Sequence, residues 1–460
     1  MKFAARVKRY LRRKFKKEVQ KQDPIKILLL TNRDSDNTGD QIIEACDIAL
    51  IHAAMKNMGM QPGDYTISSR AAAIVNKKYI ANREEKDLEG ARKAVKDADL
   101  VIFGGAPMFN YTYQDFYERT AITLDLCKEY NVPVIFSAVG IEYYKGENEK
   151  CRRITEAVNY PVVRQVTTRD DFESLQKMKQ REDLVIARTS DPAVFADKVM
   201  ERFKKEKKGE KKRIGLVVIR AFAFKDNGYN FPPEKAGEFW SGLYREFTDR
   251  GYVCELLTNG HFGDEAFLDK LVRDYGVPVS KAKFNVNKLE DIVGHLSRYD
   301  GVVSCRLHPG IVSYSMQIPS VSLMWNMKVQ GFYDAIGYGY RVIPAEEIGI
   351  KRVADDLEKA MAEGVEHDHG FQLSVYRYLF TGIRDALQKT GEPYTYEELL
   401  ENLPPFEGTD EKEARLKLER KFRRAYEGYN KRQEKNAKLK TQNVKLKREN
   451  KELKEKQTEA

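Results

Sequence analysis

The sequence predicts an α/β protein of two doubly wound, Rossmann-like halves, followed by a helical C-terminal extension. Three observations carry that prediction. From residue 25 onward, short apolar runs alternate with helix-length segments, the pattern of parallel strands joined by crossover helices. A charged run, residues 201–213 (ERFKKEKKGEKKR), interrupts the alternation once, and the same pattern then resumes. Polar and glycine-containing motifs fall where strands run into helices, the place where open α/β sheets hold ligands.

The first half takes residues 23–200. Ile27–Thr31 reads as a buried parallel strand, and Gln41–Met58 as a helix with Ile42, Cys46, Ala49, Leu50 and Ala53 on one side. Further strands are predicted at Leu100–Phe103, Val134–Val139 and Val162–Thr167, separated by helices near 86–97, 114–129 and 170–178. The second half takes residues 214–345. Its strands are Ile214–Ile219, Val253–Thr258, Gly301–Cys305 and Ser320–Trp325, with helices at Lys235–Arg250, near 264–275 and 288–298, and from Gly310. Two such halves make a GT-B-like architecture, with the binding site expected in the cleft between them. Residues 346–405 read as helical.

The ends differ from the body. The net charge is +10, but residues 1–20 and 409–460 each carry +8, which leaves −6 for residues 21–408. A nucleic-acid enzyme carries its positive charge across the folded surface, so nucleic acid is not the expected partner. Residues 1–22 read as a basic amphipathic helix with Phe3, Val7, Leu11 and Phe15 on one stripe. It suits either an anionic membrane surface, through residues 1–20, or packing on the body. Residues 406–460 read as a basic, coiled-coil-like helix. Leu418, Ala425, Leu439, Leu446 and Leu453 keep heptad phase, and Asn436, Asn443 and Asn450 take the partner positions. Homodimerisation through 409–458 is the expectation, weakened by the repeated Asn; a single solvated helix is the alternative.

No apolar run is long enough to span a bilayer, and the basic N-terminus lacks the apolar core of a secretory signal. The five cysteines lie far apart without a CxxC pair, so buried free thiols in a reducing cytoplasm are expected, with no metal. His367-Asp368-His369 lacks a third partner in sequence and reads as a solvated loop.

Four motifs carry chemistry. Asn37-Thr38-Gly39-Asp40 opens the first helix, with Asp40 read as its cap and the turn as a place for an anion or sugar hydroxyl. Gly104-Gly105 ends a strand and would let a ligand approach the backbone, or simply form a tight turn. Arg169-Asp170 ends another strand. Arg169 points into the cleft or pairs with a carboxylate, and Asp170 caps the next helix. Arg306-Leu307-His308 lies at a strand–helix junction, where an extended backbone would put Arg306 and His308 on one face. Arginine offers a planar fork to phosphate or carboxylate, and histidine can donate a proton near neutral pH.

In this order and spacing, these motifs resemble the polysaccharide pyruvyl transferase family over roughly residues 26–345. The resemblance also rests on Ser174-Leu175, Asp191-Pro192-Ala193 and Pro319 through Lys328 (PSVSLMWNMK); Ala106 stands where the family often has a third glycine. It implies a GT-B-like fold, phosphoenolpyruvate as donor substrate, no other cofactor, and a pyruvate ketal on a sugar of a cell-surface glycan or its lipid-linked precursor. It maps Arg306, Leu307 and His308 onto the donor site in the second half, with Lys328 near it, and gives the acceptor to the first half. Arg306, Arg169 and Lys328 would hold the donor's anions. His308 would protonate the enol carbon, and Asp40 would take a hydroxyl proton. Asn37, Gly39, Gly104 and Gly105 would line the substrate. A site on the cytoplasmic membrane face would rationalise the basic N-terminus. The alternatives are a GT-B glycosyltransferase using a nucleotide sugar, and a non-catalytic glycan-binding or scaffold protein.

Overall fold

The computed structural model describes residues 23–458 apart from 73, 113–115 and 285, with side chains described through residue 450. The basic helix expected over residues 1–22, and its membrane contact, lie outside the described residues. None of the described helices is long and apolar enough to cross a membrane.

Twelve strands form two six-stranded sheets, and every strand pair is parallel. The first sheet holds β1 (Ile25–Thr31), β2 (Tyr65–Ala71), β3 (Leu100–Gly104), β4 (Val134–Val139), β5 (Val163–Thr168) and β6 (Val185–Arg188), in the order 2-1-3-4-5-6. The second holds β7 (Arg213–Val217), β8 (Val253–Leu257), β9 (Ala282–Lys283), β10 (Gly301–Ser304), β11 (Ser320–Leu323) and β12 (Val342–Ile343), in the order 12-11-10-7-8-9. Each order reverses once, between β1 and β3 in the first sheet and between β7 and β10 in the second. Such switch points open a crevice beyond the strands' carboxyl ends, because the flanking connections leave on opposite faces.

The central strands were legible because both their faces are buried. In β3 and β4 every residue is buried, so no polar alternation is tolerated. Strands β2, β6, β9 and β12 carry no such run, and they are the four outer strands of the two sheets. An outer strand has one neighbour and a wetter face. Tyr65–Ala71 accordingly alternates polar with partly buried residues, and β9 and β12 are two residues long.

Three helix starts differ from expectation. The first helix, α1 (Thr38–Asn57), is capped by Asn37, whose side chain accepts from the Gly39 N–H at 2.9 Å. Asp40 therefore lies within the first turn and is not the cap. Helix α2 (Phe172–Met178) is capped by Asp171 instead of Asp170. Helix α3 (Leu307–Ser315) begins ahead of Gly310, since Pro309 fits a first turn whose N–H groups need no intrahelical partner. Arg306 is thus the extended residue before the helix and His308 is inside it, so the two do not share a strand face.

One apolar cluster joins the halves. It runs from Leu29 and Ile102 through Ile42 and Ile43 of α1 to Ile292, Val302 and Ile311 of the second half. The segment expected as one helical unit, 346–405, divides between them. Helix α4 (Ile350–Glu363) packs on the second sheet. Helix α5 (His369–Ala386) returns to the first: Gln165 Nε2 donates to the Tyr378 carbonyl at 2.9 Å, and the Ser190 N–H to Ser374 Oγ at 2.9 Å. The loop expected at 367–369 is solvated at Asp368 and His369, and it also leads into α5. Asp368 caps α5, His369 stacks on Tyr396, and His367 Nε2 lies 2.7 Å from the Tyr314 carbonyl. All five cysteines are buried and free.

The C-terminal helix, α6 (Glu411–Thr458), is 48 residues long. Its first turns strap the halves together. Arg33 pairs with Glu413, Arg420 with Asp34, and Arg424 with Asp36 on the first half. Lys421, only 7% exposed, reaches Glu265 at 2.8 Å and Asn287 at 2.9 Å on the second. Lys421→Ala leaves a poorly solvated Glu265 carboxylate unpaired. It should lower the unfolding free energy by about 1–3 kcal/mol and speed tryptic cleavage within residues 411–424. Unchanged denaturation and proteolysis would refute the strap. Further along, Leu439 and Leu446 are exposed in the single chain.

Candidate active site

The motifs converge where the two switch points face each other. The Asn37–Asp40 turn follows β1 and Gly104-Gly105 closes β3, so both flank the first crevice. Arg220 follows β7 and Arg306–His308 follows β10, so both flank the second.

The two crevices are joined by close contacts. Asn259 Nδ2 donates to Asn37 Oδ1 at 2.8 Å, and the Asn259 carbonyl accepts from Thr38 Oγ1 and N at 2.9 Å each. The His308 ring lies directly on Gly39, where a Cβ would overlap it. Gly39 is required by this approach across the seam. The glycines at 104 and 105 also serve packing. The Cβ position of Gly104 is taken by the Asp47 carboxylate, and Gly105 sits at φ +49° against Ile43.

Behind the seam lies a buried acidic cluster. Arg169 pairs with Asp191, and their side chains are 7% and 2% exposed. Arg169 is therefore the counter-ion of this cluster, the carboxylate pairing that the sequence left as its alternative to facing the cleft. Asp191 also accepts from the Ala193 N–H at 2.8 Å and lies 4.0 Å from His308 Nε2. Asp40 is 7% exposed and accepts from Asn32 Nδ2 at 2.9 Å. Burial raises its pKa to about 6, with Arg169 opposing the shift. Asp47 is 1% exposed, and neither of its oxygens has a hydrogen-bond partner among the described residues. Burial and the nearby Asp191 push its carboxyl well above the usual range. Burial lowers the His308 pKa to about 4, with Asp191 opposing and Arg169 reinforcing, so the imidazole is neutral at pH 7.

The second crevice carries the accessible cations. Arg306 binds Asp264 through Nε and Nη2 at 2.8 Å each, and its guanidinium lies 5.3 Å from the Trp325 ring. Asp264 is fully buried and also accepts from the Arg220 N–H at 3.0 Å, so it ties β7 and β10 together. Its two bonds orient the Arg306 fork. Arg220 pairs with Asp226 at the surface. Lys328, a third exposed, lies 3.6 Å from Asp170 of the first half. Asp170 itself accepts from the Ile141 N–H at 2.8 Å and Thr168 Oγ1 at 2.9 Å. His261 caps the helix after β8 by accepting from the Gly263 N–H at 3.2 Å. Its Nδ1 is therefore unprotonated, and burial lowers its pKa.

Asn37, Gly39, Asp40, Arg306, His308 and Lys328 are thus gathered along one seam. Leu307 is partly buried against the shared core. Sequence reasoning missed Asp47, Arg220, Asn259 and Asp264. The positions of Arg220 and Asn259, just beyond apolar strands, were the available signal. Asp264 follows His261 by one helical turn and was legible only as an ordinary first-turn acid. Among the described residues, no group of three or more His, Cys, Asp or Glu is placed to hold a metal ion.

The fold has solved relatives. A putative UDP-N-acetylglucosamine 2-epimerase from Listeria monocytogenes superposes with a TM-score of 0.51 at 12% identity, covering 81% of this chain and 99% of its own. Another UDP-N-acetylglucosamine 2-epimerase gives 0.50 at 10% identity, again covering 81% and 99%. At such identity the likeness is one of fold, with two facing Rossmann-like domains of GT-B type. No curated protein sequence matches the chain. The family model of polysaccharide pyruvyl transferases does match, over residues 6–326, which contain both switch points and all four motifs, with Lys328 just beyond the matched span. The chain belongs to the polysaccharide pyruvyl transferase family.

Proposed function

We propose that the protein transfers the enolpyruvyl unit of phosphoenolpyruvate to hydroxyls of a saccharide acceptor, giving a pyruvate ketal and inorganic phosphate. The observation that carries this reading is the set Arg220, Arg306 and Lys328 beyond β7, β10 and β11, beside the neutral His308 and the raised acid Asp40. A small donor with one phosphate and one carboxylate needs several cations in a compact space. Arg306 commits Nε and Nη2 to Asp264, which leaves Nη1 for an anion.

In the proposed reaction, a proton adds to the donor's methylene carbon and the adjacent carbon becomes cationic. One acceptor hydroxyl attacks that carbon. Phosphate then leaves with its bonding electrons, and a second hydroxyl closes the ketal. Of the two hydroxyl protons, one balances the new methyl group and the other departs with phosphate. Asp40, with its pKa near 6, is matched to accept a hydroxyl proton at neutral pH.

His308 needs a proton that it lacks in the ligand-free protein. An anionic donor beside it favours the imidazolium and raises its pKa. Donor binding at pH 7.5, where the donor's phosphate is already doubly ionised, should therefore take up a fraction of a proton. Calorimetry in two buffers of different ionisation enthalpy reads this directly. His308→Gln should abolish the uptake and lower turnover by about 10²–10⁴-fold. Equal heats in both buffers for the wild type would remove His308 as the acid. Donor identity is tested by thermal shift with phosphoenolpyruvate beside UDP- and GDP-sugars. Stabilisation of about 2.7 kcal/mol is expected at 100 times the dissociation constant, and it should be lost in Arg306→Lys. Stabilisation by a nucleotide sugar alone would replace this reading with glycosyl transfer.

A further inference from the structure

Outside α6, seven large apolar side chains are exposed among the described residues. Four of them stand four or five residues beyond the carboxyl ends of strands that line the cleft. They are Tyr143 after β4, Phe222 after β7, Phe262 after β8 and Met327 after β11, at 63%, 57%, 43% and 63% exposure. Chance would scatter such residues over the surface, whereas these share the face that carries the site.

They follow one rim. Gly263, next to Phe262, lies against the Arg220 side chain. Arg220 pairs with Asp226 in the short helix that Phe222 precedes. Asn326 Nδ2, beside Met327, reaches Asn227 Oδ1 at 3.4 Å. Lys328 then crosses to Asp170, which holds the Ile141 N–H two residues before Tyr143. The backbone of Tyr143 is fixed by its neighbours. Its carbonyl accepts from the Tyr111 hydroxyl, and the Tyr144 N–H donates to Ser174 Oγ at 2.8 Å. The ring is left outward, with Lys177 6.0 Å from its centroid.

We propose that Tyr143, Phe222 and Phe262, with Met327 between them, are stacking platforms for successive sugar rings of an oligosaccharide acceptor that spans both domains. This assignment rests on the saccharide-acceptor reading above and adds which residues hold the chain. A pyranose has one face of C–H bonds, which lies on an aromatic ring, and a rim of hydroxyls that needs polar partners. The rim offers that alternation: Asn227 and Asn326 lie between Phe222 and Met327, and Lys177 lies beside Tyr143. A protein partner would instead call for one continuous apolar patch.

The test uses the full chain, fluorescently labelled, on an immobilised panel of bacterial and neutral oligosaccharides. It compares wild type with Tyr143→Ser, Phe222→Ser and Phe262→Ser. Val279→Ser, equally exposed but before the outer strand β9, is the control. The expected result is retention of a subset of glycans by wild type and control, weakened about tenfold in each platform variant. The thermal shift with phosphoenolpyruvate should be the same in all five proteins. A wild type that retains no glycan, or platform variants that bind like wild type, would overturn the proposal. Platform-dependent glycan binding without any phosphoenolpyruvate shift would sink the donor assignment alone.

Discussion

Arg169→Ala should lower the unfolding free energy by about 3–5 kcal/mol at pH 7.5, the cost of breaking a buried ion pair from one side. Arg169 stands among Asp40, Asp47 and Asp191, and its pairing with Asp191 is almost wholly out of water. Burial and Asp191 already push the Asp47 carboxyl well above the usual range. Without Arg169, Asp191 would have to desolvate its charge unpaired or take a proton. The loss should therefore shrink as pH falls, because protonated carboxyls are cheaper to bury. Urea denaturation at pH 7.5 and 5 measures both effects. A loss below about 1 kcal/mol, or one independent of pH, would show that the cluster does not depend on this cation. Arg169→Lys should fall in between, since a point charge keeps the attraction without the planar fork.

Asp40→Asn should do the opposite to stability while removing activity. An acid whose pKa is higher folded than unfolded binds its proton more tightly in the folded chain. For Asp40 the values are about 6 against 3.8. Its burial costs nothing below pH 3.8, an increasing amount up to about pH 6, and a constant amount above. The gap corresponds to at most about 3 kcal/mol, and the lost attraction to the helix N-terminus offsets about 0.5 kcal/mol of the gain. The variant should therefore be more stable than wild type by about 1–3 kcal/mol at pH 7.5 and equal to it near pH 4. The Asn32 hydrogen bond survives, because an Asn side chain also offers an oxygen acceptor. Donor-dependent turnover should fall by about 10²–10⁴-fold. A carboxylate kept at a cost in stability at the cleft is the signature of a functional group. If the variant gained no stability above pH 6, the burial argument would fail. If it turned over normally, another group would be the base.

Much of the fold was legible because buried parallel strands advertise themselves. Ile27–Leu30, Leu100–Phe103 and Val134–Phe136 bury both faces, and only unbroken apolar runs satisfy that. The outer strands were not legible, because Tyr65–Ala71 and Val185–Arg188 each meet water and need no such run. Within the site, Arg306 and His308 were found from residue type and position. Their relation was misjudged, because Pro309 marked no boundary and the helix begins at Leu307. The paired glycines 104 and 105 looked like a ligand loop. Their smallness is in fact used by Asp47 and Ile43, a fact that no local pattern encodes.

The sequence by itself determined the two α/β halves, the break between them, the family motifs and the long C-terminal helix. Each of these follows from local periodicity, composition or spacing. Only the tertiary structure decided which motifs meet. It set His308 on Gly39, turned Arg169 inward to Asp191, aimed Arg306 through Asp264, and laid the start of the C-terminal helix across both halves. Those outcomes depend on how two sheets face each other and how little water remains at their seam. Burial and charge at such a seam are properties of residues separated in sequence, by 22 positions for Arg169 and Asp191 and by 134 for Lys421 and Asn287, and brought together by packing.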